Sequence, residues 1–339
     1  MRRAARALLT GARRRPPRPR PLPQVWDNAA NPKNANLGGI ADGPLCTYLS
    51  RDYLASAAPL PLRSAVHVET VVGQDGSFPI DSVAESRFVA AQAKELAAAG
   101  VRVGIVPFVA LAAPDAAAAL DAHAAALGSA FKGVRMILNH DAQDASLTWP
   151  QVPHGDFLAP PGTPAADAFA AGFALLAPRG LSFDLHANPA QLAGAAAFLA
   201  RAPPTRVVLD HLGCPKLGTG DAARDAATLA AWKAGMRALA ALPLVSVKLS
   251  GLEYVRAGWT AAGSAAAAEV RDCVLWVLRE FGAARVMAAS NFPVDLHMSP
   301  TRAQMPELYA ALHALLAPEL DEEQLQAVFA GNAERFYRV

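Results

Sequence analysis

Seven residues able to do hydrolytic chemistry stand at or near the ends of short apolar runs: His67, Glu69, Arg135, His186, His211, Lys248 and Asn291. Histidine supplies a base near neutral pH, arginine and lysine hold a carboxylate or an oxyanion, and asparagine orients water or substrate by hydrogen bonds. The clearest case is the run RVVLDHLGCP at 206–215. Its β-branched stretch ends abruptly in Asp210 and His211 and then in a Gly/Pro turn. A strand covered on both faces has that form when it delivers a polar side chain to a mouth.

The same shape recurs in AVHVET (65–70), RVGIVPF (102–108), GVRMIL (133–138), LSFDLH (181–186), LVSVKLS (244–250) and RVMAASN (285–291). Each run is followed by turn residues and then a helical pattern, so seven strand–helix units are expected and, with them, a parallel sheet. No GxGxxG opens the first unit and no GxxxxGK[ST] occurs, which favours an α/β (β/α)8 TIM barrel with an atypical first strand over an open nucleotide-binding sheet. Ser82 with Glu85 reads as a capping box for a helix ending before Gly100, 114–127 as a helix closed by Gly128, and Asn188-Pro189 as another helix start. Further helices are expected near 225–241, 264–280, 301–316 and 321–330. The long Pro- and aromatic-rich connection 140–164 reads as a loop covering a site.

In such a barrel, chemistry collects at the C-terminal ends of the strands. Alternation puts His67 with Glu69, Asp184 with His186, and Lys248 with Ser246 and Ser250, while Arg135 points with Gly133 and Asn291 aligns with Ala289. Buried polar groups are costly unless they meet one another, water or a ligand. Convergence on one pocket is therefore expected, with Lys248 near its floor. His123, His297 and His313 read as solvated or capping histidines, and Cys214 as a small packed residue rather than a nucleophile.

The chain has 339 residues, 53% hydrophobic and 18% charged, which suits one barrel-sized domain. No apolar run approaches the roughly 18–20 residues of a membrane span. Residues 1–20 hold eight arginines and no acid, so the net charge of +2 becomes −6 beyond them, and a mildly acidic body argues against nucleic-acid binding. Residues 1–22 are read as a basic extension with the composition of a mitochondrial transit peptide, a plastid address or a cytoplasmic basic tail being the alternatives, and 23–339 as the barrel domain. Cys46, Cys214 and Cys273 are too few and scattered for a disulfide framework.

Nine stretches extend this reading: VWD (25–27), RDYL (51–54), VHVET (66–70), KGVR (132–135), GLSFDLH (180–186), LDHLGCP (209–215), VKLSGL (247–252), SNFPVD (290–295) and GNAERFYR (331–338). In this order and spacing they resemble the amidohydrolase-related TIM-barrel family, in its lactonase-like branch of metal-dependent hydrolases. The resemblance implies water attacking a carbonyl, since members open lactones of sugar acids or of ring-cleavage products. It places His211 and His186 at the histidine positions of two successive strands and Arg135 at a position suited to a substrate carboxylate or lactone oxygen. Two departures stand out. Leu22-Pro23-Gln24 occupies the place of the family's HxH, and Asn291 replaces the acid of the last strand.

The expected mechanism has His211 activate water, Arg135 and His186 hold the carbonyl oxygen or a carboxylate, and Asn291 position water or substrate, with His67, Glu69 and Lys248 in substrate-binding places. His186 and His211 are two ligands where zinc needs three or four, so a divalent metal enters only if His67 or Glu69 is recruited. A small molecule is the expected partner, and pairing of two copies through outer helices is also expected. The alternatives are a degenerate barrel that binds a small acidic metabolite without turning it over, and a metal-dependent decarboxylase or amide hydrolase.

Overall fold

The structure, a computed structural model, describes residues 48–70, 81–144, 147–148 and 155–339. The expected basic extension, the unusual first strand, Cys46 and His154 lie outside them. Seven strands form where the apolar runs predict: β1 Ser64–Val68, β2 Arg102–Val106, β3 Gly133–Ile137, β4 Ser182–His186, β5 Val207–Leu209, β6 Val245–Leu249 and β7 Val286–Ala288. All pairings are parallel. β1 pairs with β2, and β3 to β7 pair in chain order. Parallel bridges Ile105 to Phe131 and Phe108 to Arg135 join β2 to β3. Successive parallel neighbours are the order of a (β/α)8 barrel, and among the described residues its wall is open between β7 and β1.

The helices are α1 Ser50–Ala57, α2 Ser82–Ala98, α3 Ala116–Leu127, α4 Pro164–Phe173, α5 Leu192–Leu199, α6 Ala222–Ala240, α7 Leu252–Val255, α8 Ala265–Phe281, α9 Val294–Met298, α10 Met305–Leu316, α11 Glu322–Gln326 and α12 Asn332–Tyr337. Alternation along the strands sorts two cores. Ile105, Val134, Met136, Phe183, Leu185, Val207, Leu209, Val247 and Leu249 pack outward against the helices. Val66, Val68, Val106, Val208 and Met287 pack inward with Phe336 and Tyr337. Full burial of an aliphatic side chain contributes roughly 1.5–3 kcal/mol, so this two-sided burial fixes the register and thereby the direction of every polar residue that follows a strand.

α12 closes the floor. Asn332 Nδ2 donates to the carbonyls of Ala283 at 2.7 Å and Val286 at 2.6 Å, and Lys132 Nζ donates to that of Arg338 at 2.9 Å. Phe336 and Tyr337 are thereby held in the barrel interior.

Two local expectations change. α2 is capped by Asp81, whose side chain accepts from the Ala84 N–H at 2.9 Å, not by Ser82 with Glu85. Ser82 and Ser86 instead enclose His123, with contacts of 3.1 Å to Nε2 and 2.9 Å to Nδ1. His123 is thus a fully buried core histidine, not a solvated one, and burial lowers its proton affinity.

Candidate active site

The C-terminal ends of β3 to β7 deliver their polar residues to one cavity of about 1210 Å³, lined by Arg135, His186, His211, Lys248 and Asn291 among others. Small-molecule sites occupy roughly 300–1000 Å³. Among the described residues the cavity runs on along the open seam past Ala65, Val66 and Ala288.

Its floor is a buried ion network. Arg135 Nε donates to Glu69 Oε1 at 2.9 Å and Nη1 to Asp210 Oδ2 at 3.3 Å, while Nη2 donates to the Glu69 carbonyl. Lys248 Nζ lies 2.5 Å from Asp184 Oδ2 and 2.8 Å from Asp210 Oδ1. Tyr337 completes it, its hydroxyl donating to Asp184 Oδ2 at 2.7 Å. Burial favours the neutral form of each group. For Asp210 this is outweighed by the cations Lys248 and Arg135, so it stays ionised. For Arg135 and Lys248 the neighbouring carboxylates prevail and both stay cationic. Asp184 keeps a raised proton affinity from burial, countered by Lys248 and reinforced by Asp210.

Above this floor stand the two histidines. Their rings meet edge to face with centroids 5.1 Å apart. His211 Nδ1 lies 3.0 Å from Ser250 Oγ, and His186 Nε2 lies 3.2 Å from Cys214 Sγ. Burial lowers the His211 pKa to about 4, with Arg135 and Lys248 adding to the effect against Asp210. Burial, and then the neighbouring His211, hold His186 well below the usual imidazole value. Both rings are neutral at pH 7. Burial pushes the Cys214 thiol up to about 12, so it is not a thiolate nucleophile at neutral pH.

The backbone that presents His211 is unusual. His211, Leu212 and Cys214 have φ of 52°, 55° and 54°, in the left-handed region that side-chain-bearing residues occupy only when neighbours hold them. Trp232 Nε1 donates to the Leu212 carbonyl at 2.7 Å and holds the turn from below. The His211 ring in turn lies on Gly251, where an added Cβ would come within 2.8 Å of its Cγ and Nδ1.

Five of the seven expected residues, Arg135, His186, His211, Lys248 and Asn291, come together, and Glu69 joins them as the partner of Arg135. His67 lines the cavity as well, but the inward positions of β1 are Val66 and Val68, and His67 Nε2 turns to Glu85 Oε1 of α2 at 3.2 Å. Alternation pairs His67 with Glu69, but β1 ends at Val68, and Glu69 beyond it meets Arg135 while His67 meets Glu85. The expectation that Arg135 holds a substrate carboxylate also changes, because its guanidinium is already engaged by Glu69 and Asp210. Tyr337 was not singled out from the sequence, since no local pattern shows a C-terminal helix entering a barrel floor. The long connection after β3 does reach the site: Leu147 and Thr148 line the cavity, and Asn188 Nδ2 donates to the Leu147 carbonyl at 2.7 Å.

A zinc ion requires three or four N, O or S donors. Among the described residues no three His, Cys, Asp or Glu side chains are grouped to hold one. His186 and His211 offer two imidazoles, Asp184, Asp210 and Glu69 are engaged by Lys248 and Arg135, and Asn291 brings no charge. Among the described residues these donors do not by themselves make up a zinc site.

A family model for amidohydrolases matches residues 53–339. L-fucono-1,5-lactonase of Burkholderia ambifaria is 30% identical over 290 residues, 83% of each chain. The uncharacterized protein y4mH of Sinorhizobium fredii is 29% identical over 293 residues, 86% of each chain. The crystal structure of an amidohydrolase from Burkholderia multivorans with bound Zn superposes with a TM-score of 0.71 at 26% identity, covering 93% of this chain and 96% of that one. The chain belongs to the amidohydrolase family, and it is a hydrolase built on that family's TIM barrel. Among the described residues no helix is long and apolar enough to cross a membrane.

Proposed function

We propose that this hydrolase opens an uncharged lactone, of the sugar-acid type, by attack of water on the ring carbonyl. The observation that carries the reading is a neutral histidine pair facing a cavity whose two inner cations are already paired with carboxylates. The other cations along the wall, Arg63 and Lys216, are exposed side chains. A carboxylated lactone would bring its charge to a floor where Glu69, Asp184 and Asp210 already stand. The likeness to L-fucono-1,5-lactonase supports the same substrate class.

In the proposed reaction Ser250 accepts from His211 Nδ1–H, which leaves Nε2 as the base that takes a proton from the attacking water. The Cys214 thiol donates to His186 Nε2, which places the His186 proton on Nδ1, a buried atom without a hydrogen-bond partner in the protein. His186 lines the cavity beside His211 and is assigned to the carbonyl oxygen as negative charge develops on it. Asn291 orients the water. The proton then passes from His211 to the ring oxygen as the C–O bond breaks, giving the hydroxy acid.

A panel of uncharged and carboxylated five- and six-membered lactones, followed by acid release, tests the reading. Turnover confined to the uncharged set supports it, and higher kcat/KM on carboxylated lactones overturns it. The proposal extends to place: the acid-free, Arg-rich residues 1–20 suit mitochondrial import, which fluorescence from a C-terminally tagged full-length chain checks.

A further inference from the structure

Asp295 is not used in the steps above, yet it is only 3% exposed and sits beneath two of the loops that build the site. Its Oδ1 accepts from Asn291 Nδ2 at 2.7 Å, and its carboxyl also accepts from the Leu252 backbone N–H. Leu252 opens α7 two residues after Ser250, the residue whose Oγ meets His211 Nδ1. One carboxyl therefore joins the turn after β7 to the turn after β6. Both turns are left-handed at the joint, with φ of 51° at Asn291 and 59° at Gly251. Asn291 in particular keeps that conformation against the preference of a residue with a Cβ.

We infer that Asp295 is a positioning residue of this active site: it clamps Asn291 so that the amide oxygen faces the cavity, and holds the Ser250 turn that orients His211. The inference rests on the lactonase reading for its kinetic consequence and on geometry alone for the clamp. Among the described residues, Asp295 is the acceptor that the Asn291 amide meets. The loss of the clamp frees two loops at once, one carrying the water-orienting amide and one carrying the partner of the base.

Burial holds the Asp295 carboxyl well above its usual range, against the hydrogen bond from Asn291. A neutral carboxyl and a carboxamide have the same shape and both offer a carbonyl acceptor, so Asp295→Asn is the conservative variant and Asp295→Ala the disruptive one. Asp295→Ser, which keeps a hydroxyl too short to reach Asn291, replaces Asp295→Ala if that variant is not recovered folded.

The experiment pairs kinetics with crystallography. Asp295→Ala is expected to lower kcat by about 10²-fold on an uncharged lactone, the scale of a misplacement of roughly 1 Å, with KM little changed, and Asp295→Asn to restore most of it. A merely structural role would lower the thermal midpoint and leave kcat unmoved below it. Crystal structures are expected to show Asn291 and the Ser250–His211 contact displaced in Asp295→Ala and retained in Asp295→Asn. That comparison decides the clamp whether or not a lactone is turned over, so failure of the lactonase reading and failure of this inference are separate results. A folded Asp295→Ala with wild-type kcat, or with Asn291 and His211 in their wild-type places, overturns it.

Discussion

Replacing Lys248 by methionine removes the cation shared by two buried carboxylates while keeping most of its volume. Lys248 is 6% exposed, Asp184 0% and Asp210 1%. Asp210 retains Arg135 at 3.3 Å, but Asp184 is left with the Tyr337 hydroxyl. Breaking a buried pair from one side costs about 3–5 kcal/mol, and the partners remaining here place the expected loss near 3 kcal/mol. For a domain of this size that is a fall in thermal midpoint of roughly 4–5 °C.

The loss depends on pH with a definite sign. Burial already raises the proton affinity of folded Asp184, and without Lys248 it rises further. The folded variant therefore binds a proton that the unfolded chain, with a carboxyl pKa of about 3.9, has released, and its stability falls as pH rises through that window. Urea unfolding at pH 5 and pH 8 reads this directly. The deficit relative to wild type is predicted to be larger at pH 8. A Lys248→Met protein as stable as wild type at pH 8, or a deficit that grows toward pH 5, refutes the ion network described here.

Gly251→Ala puts a Cβ at φ 59° and 2.8 Å from the His211 ring, so it is expected to cost roughly 1–2 kcal/mol in backbone strain and to lower kcat by displacing the base. Gly220→Ala has a φ of 86° and nothing within 4 Å; it should show the strain in its thermal midpoint and keep wild-type kcat. Asn291→Asp would set a second carboxyl at the position now 2.7 Å from Asp295 Oδ1. Two such groups share one proton, so this variant should lose stability with rising pH by up to about 1.4 kcal/mol per unit, visible in the same urea titrations.

All seven apolar runs became strands because each is too short and too β-branched for a buried helix and ends in turn residues. That Arg135, His186, Lys248, His211 and Asn291 share one cavity was legible for a related reason: each belongs to or follows a core-facing stretch whose register burial fixes on both sides. His67 lines the cavity as well, but its 3.2 Å contact with Glu85 of α2 is a tertiary pairing that no local pattern shows. The engagement of Arg135 was equally hidden. Its partners Glu69 and Asp210 lie 66 and 75 residues away in sequence, and pairing at that range is set by strand order, not by local pattern. Asp295 stood in a recognisable stretch, SNFPVD, but its bond to Asn291 depends on the left-handed turn at Asn291.

The most direct measurement of the central claim is kcat/KM for an uncharged sugar lactone with wild type and His211→Ala, corrected for the spontaneous rate. A general base contributes about 10²–10⁴-fold, so wild type should turn over the lactone and the variant should lose at least two orders of magnitude while remaining folded. Full activity in His211→Ala, or no turnover of any lactone by wild type, contradicts the account.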